Sequence, residues 1–259
     1  MINLAANLSM MFNEVDFLYR FSKASSQNFK AVEYLFPYDF SKDNILNELN
    51  ENNLKQILFD LPAGDWNSGD RGIAVDPERK KEFEDGVHLA IEYASVIKPD
   101  HLTCLVGKLR QGVSDSQARS ILIENLIYAA EHTAKAGVSL LVEPINTSDI
   151  PGYWLCNTDE ALSIINEVNN PNLKLQYDIY HMQIMEGNII NTIANNLDVI
   201  GHMQLADNPG RHEPGTGELN YPEIFRRIDS MNYSGWIGCE YIPISDTESG
   251  LTWAQDFLN

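Results

Sequence analysis

Eight short apolar runs recur along the chain, and each is rich in β-branched or aromatic residues. The runs cover residues 2–6, 31–36, 56–61, 102–106, 138–143, 173–178, 199–205 and 236–241. Polar and apolar residues do not alternate within them, as they do in a strand with one wet face. Near-continuous apolar runs are typical of parallel strands that are covered on both faces. The runs therefore predict a parallel sheet covered by helices.

Helical patterns fill the stretches between the runs. Residues 121–129 place apolar side chains at spacings of three and four, which puts them on one stripe of a helix. Helix starts are predicted where a capping residue precedes a proline or a reciprocal partner: Asp76 with Pro77, Ser114 with Gln117, Asn157 with Glu160, and Ser245 with Glu248. Strand and helix patterns therefore alternate throughout.

This alternation predicts the fold class α/β and a single (β/α)₈ TIM barrel over residues 1–259. A doubly wound open sheet is the competing fold, but no Gly-x-Gly-x-x-Gly turn follows the first run. The longest predicted loops, 63–75 and 206–221, each follow a run. In a barrel they belong to the catalytic face.

The excess of acidic over basic side chains limits the kinds of molecule that the chain can bind. The 259 residues include 18 basic and 37 acidic side chains, a net charge of −19, which argues against a nucleic-acid partner. No apolar stretch approaches the roughly 20 residues of a membrane helix, and the N-terminus lacks a basic leader. We expect a cytoplasmic protein without a membrane partner. The oligomeric state stays open, and a homo-oligomer is possible by this reasoning.

The three cysteines, Cys104, Cys156 and Cys239, form no Cys-x-x-Cys pair and are predicted to be buried thiols.

Oxygen-bearing side chains lie at or near the ends of the last four runs: Glu143, Asp178, Gln204 and Glu240. Their spacings of 35, 26 and 36 residues each match one strand-helix-strand step, so all four meet at one barrel rim. Carboxylates gathered there repel one another unless a divalent cation joins them. Oxygen ligands favour Mg²⁺ or Mn²⁺, with Zn²⁺ left open. His202 points to the same face one layer deeper and is predicted to be a hydrogen-bonded interior histidine.

Further side chains are predicted to bind substrate: His181, Arg71, Lys108, Arg211 and His212. His181 lies just past the sixth run, where it either binds substrate or supports the metal from outside. Arg211 and His212 lie in a glycine-rich loop that is predicted to cover the substrate. Arg71 and Lys108 follow the third and fourth runs and either bind substrate or pair with nearby aspartates. An anionic substrate needs such local positive charge because the net charge of −19 repels it.

Several segments resemble hydroxypyruvate isomerases, within the wider xylose isomerase-like barrels. They are residues 7–10 (Asn-Leu-Ser-Met), 61–66 (Leu-Pro-Ala-Gly-Asp-Trp), 104–108 (Cys-Leu-Val-Gly-Lys), 143–146 (Glu-Pro-Ile-Asn), 176–183, 212–218 and 235–241. The resemblance runs from end to end. It implies interconversion of hydroxypyruvate and tartronate semialdehyde, with Glu143 and Glu240 as the proton donor and acceptor. It also implies Asp178 and Gln204 as the remaining metal ligands. One departure is the turn at residues 26–30, where relatives commonly carry glycine.

The chemistry of the predicted site agrees with this resemblance. Moving a carbonyl group between neighbouring carbons requires two acid-base groups and an electrophile that stabilises an enediolate. The resemblance implies that the substrate is a small anionic hydroxy-keto acid. Three alternatives stay open: an isomerase of the four-carbon 2-oxotetronate, an apurinic endonuclease with a similar barrel, and a non-catalytic sugar-acid binder.

Overall fold

The computed structural model describes residues 2–258 and shows a closed barrel of eight parallel strands. The strands are β1 (Asn3–Asn7), β2 (Ala31–Glu33), β3 (Lys55–Asp60), β4 (His101–Cys104), β5 (Ser139–Val142), β6 (Leu173–Asp178), β7 (Ile200–Leu205) and β8 (Trp236–Cys239). They pair in sequential order, and β8 closes on β1 through pairs such as Leu4 with Ile237. The predicted (β/α)₈ barrel is confirmed, and the open sheet is wrong.

Helices surround this barrel and bury their apolar stripes against it. They are α1 (Phe17–Ser26), α2 (Lys42–Glu51), α3 (Lys80–Ile97), α4 (Asp115–Lys135), α5 (Thr158–Val168), α6 (Ile179–Met185), α7 (Ile189–Asn196), α8 (Tyr221–Ser230) and α9 (Gln255–Leu258). On α4, for example, Leu122, Leu126 and Ala129 are fully buried. Among residues 2–258, no helix is both long enough and apolar enough to cross a bilayer.

Most of the predicted helix starts are confirmed. Asp76 accepts a hydrogen bond from the Glu78 amide and opens a 3₁₀ turn that leads into α3. Ser114 forms the reciprocal capping box with Gln117, and Asn157 caps α5. The box predicted from Ser245 to Glu248 is wrong. Asp246 caps this turn instead, because its carboxylate accepts from both the amide and the hydroxyl of Ser249.

The burial of the cysteines and the turn before β2 are two local features for which the sequence makes a prediction. Cys104 and Cys239 are buried, as predicted, but Cys156 is only half-buried because it lies in the loop before α5 and not in the barrel wall. The turn before β2 lacks glycine, and Asn28 takes the left-handed conformation there with φ +67°. Asparagine tolerates this conformation better than most side chains. The turn lies at the amino ends of the strands, away from the predicted site.

Candidate metal and catalytic centre

Four buried side chains meet at the carboxyl ends of the strands: Glu143, Asp178, His181 and Glu240. Each offers one ligand atom, and these atoms all lie within 4.8 Å of one another. Glu143 follows β5, Asp178 ends β6, His181 lies in the first turn of α6, and Glu240 follows β8. The barrel brings them together because its strands converge on one rim.

Two of these carboxylates keep an oxygen free. Among residues 2–258, neither Glu143 Oε1 nor Asp178 Oδ2 has a hydrogen-bond partner, although both are buried. The other oxygen of Asp178 accepts from the Tyr180 amide at 2.8 Å and caps α6. Unpartnered buried carboxylate oxygens are costly unless a cation satisfies them. The donor set therefore fits a divalent cation, and three carboxylates suit a hard, oxygen-preferring ion.

Burial controls the proton affinity of the cluster. It raises the pKa of Glu240 to about 7 and the pKa of Asp178 to about 6, while the nearby Arg211 charge opposes both shifts. Burial, together with the charges of Glu240 and Asp178, raises the pKa of Glu143 well above its ordinary value. The pKa of His181 lies well below its ordinary value, because burial and Arg211 disfavour the imidazolium. Without a bound cation, burial therefore favours the protonated form of these carboxyl groups and the neutral form of His181.

Arg211 supplies the positive charge at this site. Its Nη2 donates to Glu240 Oε2 at 2.6 Å and lies 3.9 Å from Asp178 Oδ2. The guanidinium lies over the Tyr180 ring, 5.3 Å from the centroid. Asp207 holds the surrounding loop, because its carboxylate accepts from three backbone amides. Arg211 itself adopts φ +57° within this loop.

A small cavity opens beside the cluster, with a volume of about 80 Å³. Its polar lining includes Glu143, His181, Gln204, Arg211 and Glu240. Its apolar lining includes Met10, Tyr34, Leu58, Trp66, Leu105, Ile145 and Ile150. A cavity of this size suits a small organic acid and not a polymer.

Comparison with known proteins places this barrel in a family. A family model described as the xylose isomerase-like TIM barrel matches residues 21–259. The chain belongs to the xylose isomerase-like TIM barrel family.

Relatives in this family align along the whole chain. Hydroxypyruvate isomerase of Escherichia coli strain K12 is 50% identical over 257 residues, covering 99% of this chain and 100% of the relative. The 2-oxo-tetronate isomerase of Cupriavidus necator is 44% identical over 258 residues, covering 100% and 99%. The crystal structure of an "AP endonuclease, family 2" from Brucella melitensis has a TM-score of 0.97 at 45% identity, covering 99% of both chains. The prediction of an isomerase is confirmed at the level of enzyme class.

Gln204 lies near the end of β7, as predicted, but both polar atoms of its side chain are hydrogen-bonded to neighbouring side chains. Its Nε2 donates to Glu33 Oε1 at 2.8 Å, and its Oε1 accepts from Gln176 Nε2 at 2.6 Å. Glu33 also accepts from Asn7 at 2.9 Å and faces His202 Nε2 at 2.7 Å. The interior, hydrogen-bonded position predicted for His202 is confirmed. A carbonyl oxygen has a second lone pair, so metal binding by Gln204 stays a prediction.

The remaining predicted substrate ligands lie outside the cavity. Arg71 stacks 3.9 Å from the centroid of the Trp66 ring and donates to two loop carbonyls. Lys108 donates to the Gly69 carbonyl at 3.1 Å and lines a neighbouring cleft with Arg71. His212 Nδ1 faces the Ile242 carbonyl at 2.8 Å. The structure therefore brings His181 and Arg211 to the cluster, but not Arg71, Lys108 or His212, whose substrate contacts stay predictions.

Sequence reasoning missed several polar residues around the site, among them Glu33, Asp60, Asn146 and Asp149. Asp60 ends β3 and lines the cavity, and burial with the charges of Glu240 and Glu33 raises its pKa well above the ordinary value. Glu33 ends β2. An acidic residue near the end of an apolar run was the available signal for both, the same signal that identified Glu143 and Asp178.

Proposed function

We propose that this chain catalyses the metal-dependent interconversion of hydroxypyruvate and tartronate semialdehyde. One observation carries the proposal. Glu143 and Glu240 enter one small cavity from separate strands, and burial raises the pKa of both. Two carboxyl groups that face one cavity from different sides can exchange protons with the neighbouring carbons of a single substrate, as an isomerase requires.

The reaction moves one proton between neighbouring carbons. One carboxylate removes the proton from C3 of hydroxypyruvate, and the carbonyl electrons shift to give an enediolate. The other carboxyl group delivers a proton to C2 while the C3 hydroxyl proton passes to the C2 oxygen, which leaves the aldehyde of tartronate semialdehyde at C3 and a hydroxyl group at C2. Glu143 and Glu240 are the proposed pair, and the reverse reaction exchanges their roles.

A divalent cation, Mg²⁺ or Mn²⁺ by ligand chemistry, would be held by Glu143, Asp178, Gln204 and Glu240, and it would polarise the substrate oxygens. Arg211 faces the same cavity and offers the positive charge that a carboxylate substrate needs in a chain of net charge −19. His181 completes the polar lining. These side chains hold the substrate near the two proton-transfer groups.

The four-carbon acid 2-oxotetronate is the second candidate substrate. Its support is the 44% identity to the Cupriavidus necator enzyme that is named for it. The two acids share the reacting carbons and differ in the length of the chain beyond them. The walls of the cavity, including Trp66, therefore decide between them.

A nuclease is disfavoured, although the Brucella melitensis protein at 45% identity is named an AP endonuclease. Asp178 is completely enclosed, and the other cluster members are less than 8% exposed. An intact duplex cannot reach groups enclosed in this way, and a flipped-out nucleotide would have to enter the small cavity beside them. The net charge of −19 also repels its phosphates.

Turnover assays on the purified protein test the proposal. The protein is stripped with a chelator, reloaded with Mg²⁺, Mn²⁺ or Zn²⁺, and given hydroxypyruvate, 2-oxotetronate or an abasic duplex. We expect hydroxypyruvate turnover that requires metal, with solvent deuterium incorporated at C2 when the reaction runs in D₂O. Turnover of neither acid, or nicking of the duplex, would refute the proposal.

Substitution of the proton-transfer pair sharpens this test. Glu143→Gln and Glu240→Gln are each expected to lower kcat by about 10²- to 10⁴-fold. Glu131→Gln is the matched control, because Glu131 is exposed in the last turns of α4, which leads to the amino end of β5 and not to the carboxyl ends that form the site. Rates that stay within tenfold of wild type in both variants contradict the assignment.

A further inference from the structure

Asn146 contacts the only ring nitrogen of His181 that points away from the cluster. Asn146 is fully buried in the loop after β5, and its Nδ2 lies 2.6 Å from His181 Nδ1. A neutral imidazole has one protonated nitrogen and one acceptor nitrogen. The partner of Nδ1 therefore determines which nitrogen carries the proton.

Asp149 fixes the orientation of the Asn146 amide in two ways. The Asp149 backbone amide donates to Asn146 Oδ1 at 2.8 Å, and Asp149 Oδ2 accepts from Asn146 Nδ2 at 3.2 Å. A peptide N–H can only donate and a carboxylate can only accept, so the amide oxygen and nitrogen cannot be exchanged. Tyr180 holds the same carboxylate oxygen through its hydroxyl at 2.9 Å. The amide nitrogen therefore faces His181.

An amide nitrogen donates, so His181 Nδ1 accepts and Nε2 carries the proton. Nε2 faces the cluster, 3.5 Å from Asp178 Oδ2, and His181 lines the cavity. A protonated Nε2 has no lone pair for a metal ion. Metal-binding histidines usually donate their other N–H to a carboxylate or carbonyl group, whereas His181 meets a donor. His181 therefore has the wrong tautomer for a ligand.

We propose that Asn146 is a positioning residue that holds His181 in the Nε2–H form, which directs a hydrogen-bond donor at a substrate oxygen and leaves the metal to oxygen ligands. The identity of that substrate rests on the proposed function. The tautomer does not, because the contacts among Asn146, Asp149 and His181 exist without substrate.

NMR of ¹⁵N-histidine-labelled, Mg²⁺-loaded protein tests the tautomer directly, with His181→Gln used to assign the signals. We expect a pyrrole-type Nε2 and a pyridine-type Nδ1 at His181. In Asn146→Asp a carboxylate replaces the amide donor, and we expect the two nitrogens to exchange types. His202 is the internal control: its Nε2 faces Glu33 at 2.7 Å, so its signals should not change. A pyridine-type Nε2 at His181 in the wild-type protein overturns the proposal.

Metal affinity and kinetics separate the donor role from a structural one. In Asn146→Ala we expect unchanged Mn²⁺ affinity by calorimetry and a fall in kcat that stays below the roughly 10²- to 10³-fold cost of removing an oriented donor altogether, because the Nε2–H form remains accessible to His181. If His181 is a metal ligand, loss of its supporting partner instead lowers Mn²⁺ affinity by about 10- to 100-fold, which also overturns the proposal. If the wild-type protein is inactive but shows the expected tautomer, the proposed function is refuted and the tautomer proposal stands.

Discussion

Glu33 is the central acceptor of the polar network beneath the cluster, and removing its carboxylate is expected to destabilise the barrel strongly. Glu33 is fully buried and accepts from Asn7, Gln204 and His202 at 2.7–2.9 Å. The fit is tight, because a Cβ atom on Gly238 would lie only 2.2 Å from the Glu33 carboxylate. In Glu33→Ala all three donors lose their partner.

The magnitude follows from these three contacts. A hydrogen bond to a carboxylate contributes about 1.5–3 kcal/mol, which gives an upper range of about 4.5–9 kcal/mol before relaxation. Breaking a buried polar pair from one side typically costs about 3–5 kcal/mol, and we expect Glu33→Ala to lie in that range. For a chain of this size, the loss corresponds to a fall in Tm of about 6–20 °C.

Glu33→Gln is the matched control for this loss. It keeps the volume and one acceptor oxygen, and the His202 ring can shift its proton to Nδ1 and accept from the new amide. We expect a cost of about 1 kcal/mol. Urea unfolding and calorimetry of both variants measure the difference. A loss below 1 kcal/mol in Glu33→Ala, or equal losses in the two variants, would refute the reasoning.

The other predictions concern the site. Arg211→Gln should lower kcat/KM for hydroxypyruvate by about 10- to 100-fold, because the substrate loses a charged contact. The acid limb of the pH-rate profile should move to higher pH, because Arg211 lowers the pKa of Glu240. An unchanged profile contradicts this. Trp66→Ala should raise the preference for 2-oxotetronate over hydroxypyruvate by at least about tenfold, and an unchanged ratio excludes Trp66 as the limiting wall. Chelation should lower the free energy of unfolding by about 2.7 kcal/mol relative to protein at 100 times the metal Kd; Asp178→Asn should abolish this difference. In chelated protein, the free energy of unfolding should fall between pH 4.5 and about 7, because Glu240, together with Glu143 and Asp178, has a raised pKa and binds more protons in the folded than in the unfolded state. Glu240→Gln should make this slope less steep, and an unchanged slope contradicts the contribution of Glu240.

The fold was predictable because its signals are local. Eight apolar runs mark the strands, and capping residues such as Ser114 mark helix starts within a few positions. The convergence of Glu143, Asp178 and Glu240 was also predictable from the sequence, because barrel topology alone places the carboxyl ends of the strands on one rim. No contact between distant segments had to be known.

Other features depend on contacts that no local pattern encodes. The sequence leaves open whether Arg71 binds substrate or pairs with an aspartate, and in the structure its guanidinium stacks on Trp66 and donates to two carbonyls of its own loop. Asn146 was overlooked because its role depends on His181, 35 residues further along the chain. Neither loop conformation nor such a pairing is encoded in the periodicity of a segment.

Hydrogen bonding divides the buried carboxylates of this barrel into two kinds. Glu33 uses both oxygens as acceptors for three side chains, so it stabilises the interior. Glu143 and Asp178 are equally enclosed, yet each keeps an oxygen without a hydrogen-bond partner among residues 2–258. Arg211 offsets the desolvation of Asp178 only in part, and no hydrogen bond offsets it at either atom. A cation bound between these oxygens would offset the remaining cost, so the oxygens without a hydrogen bond mark the proposed functional layer, and the satisfied ones the structural layer beneath it.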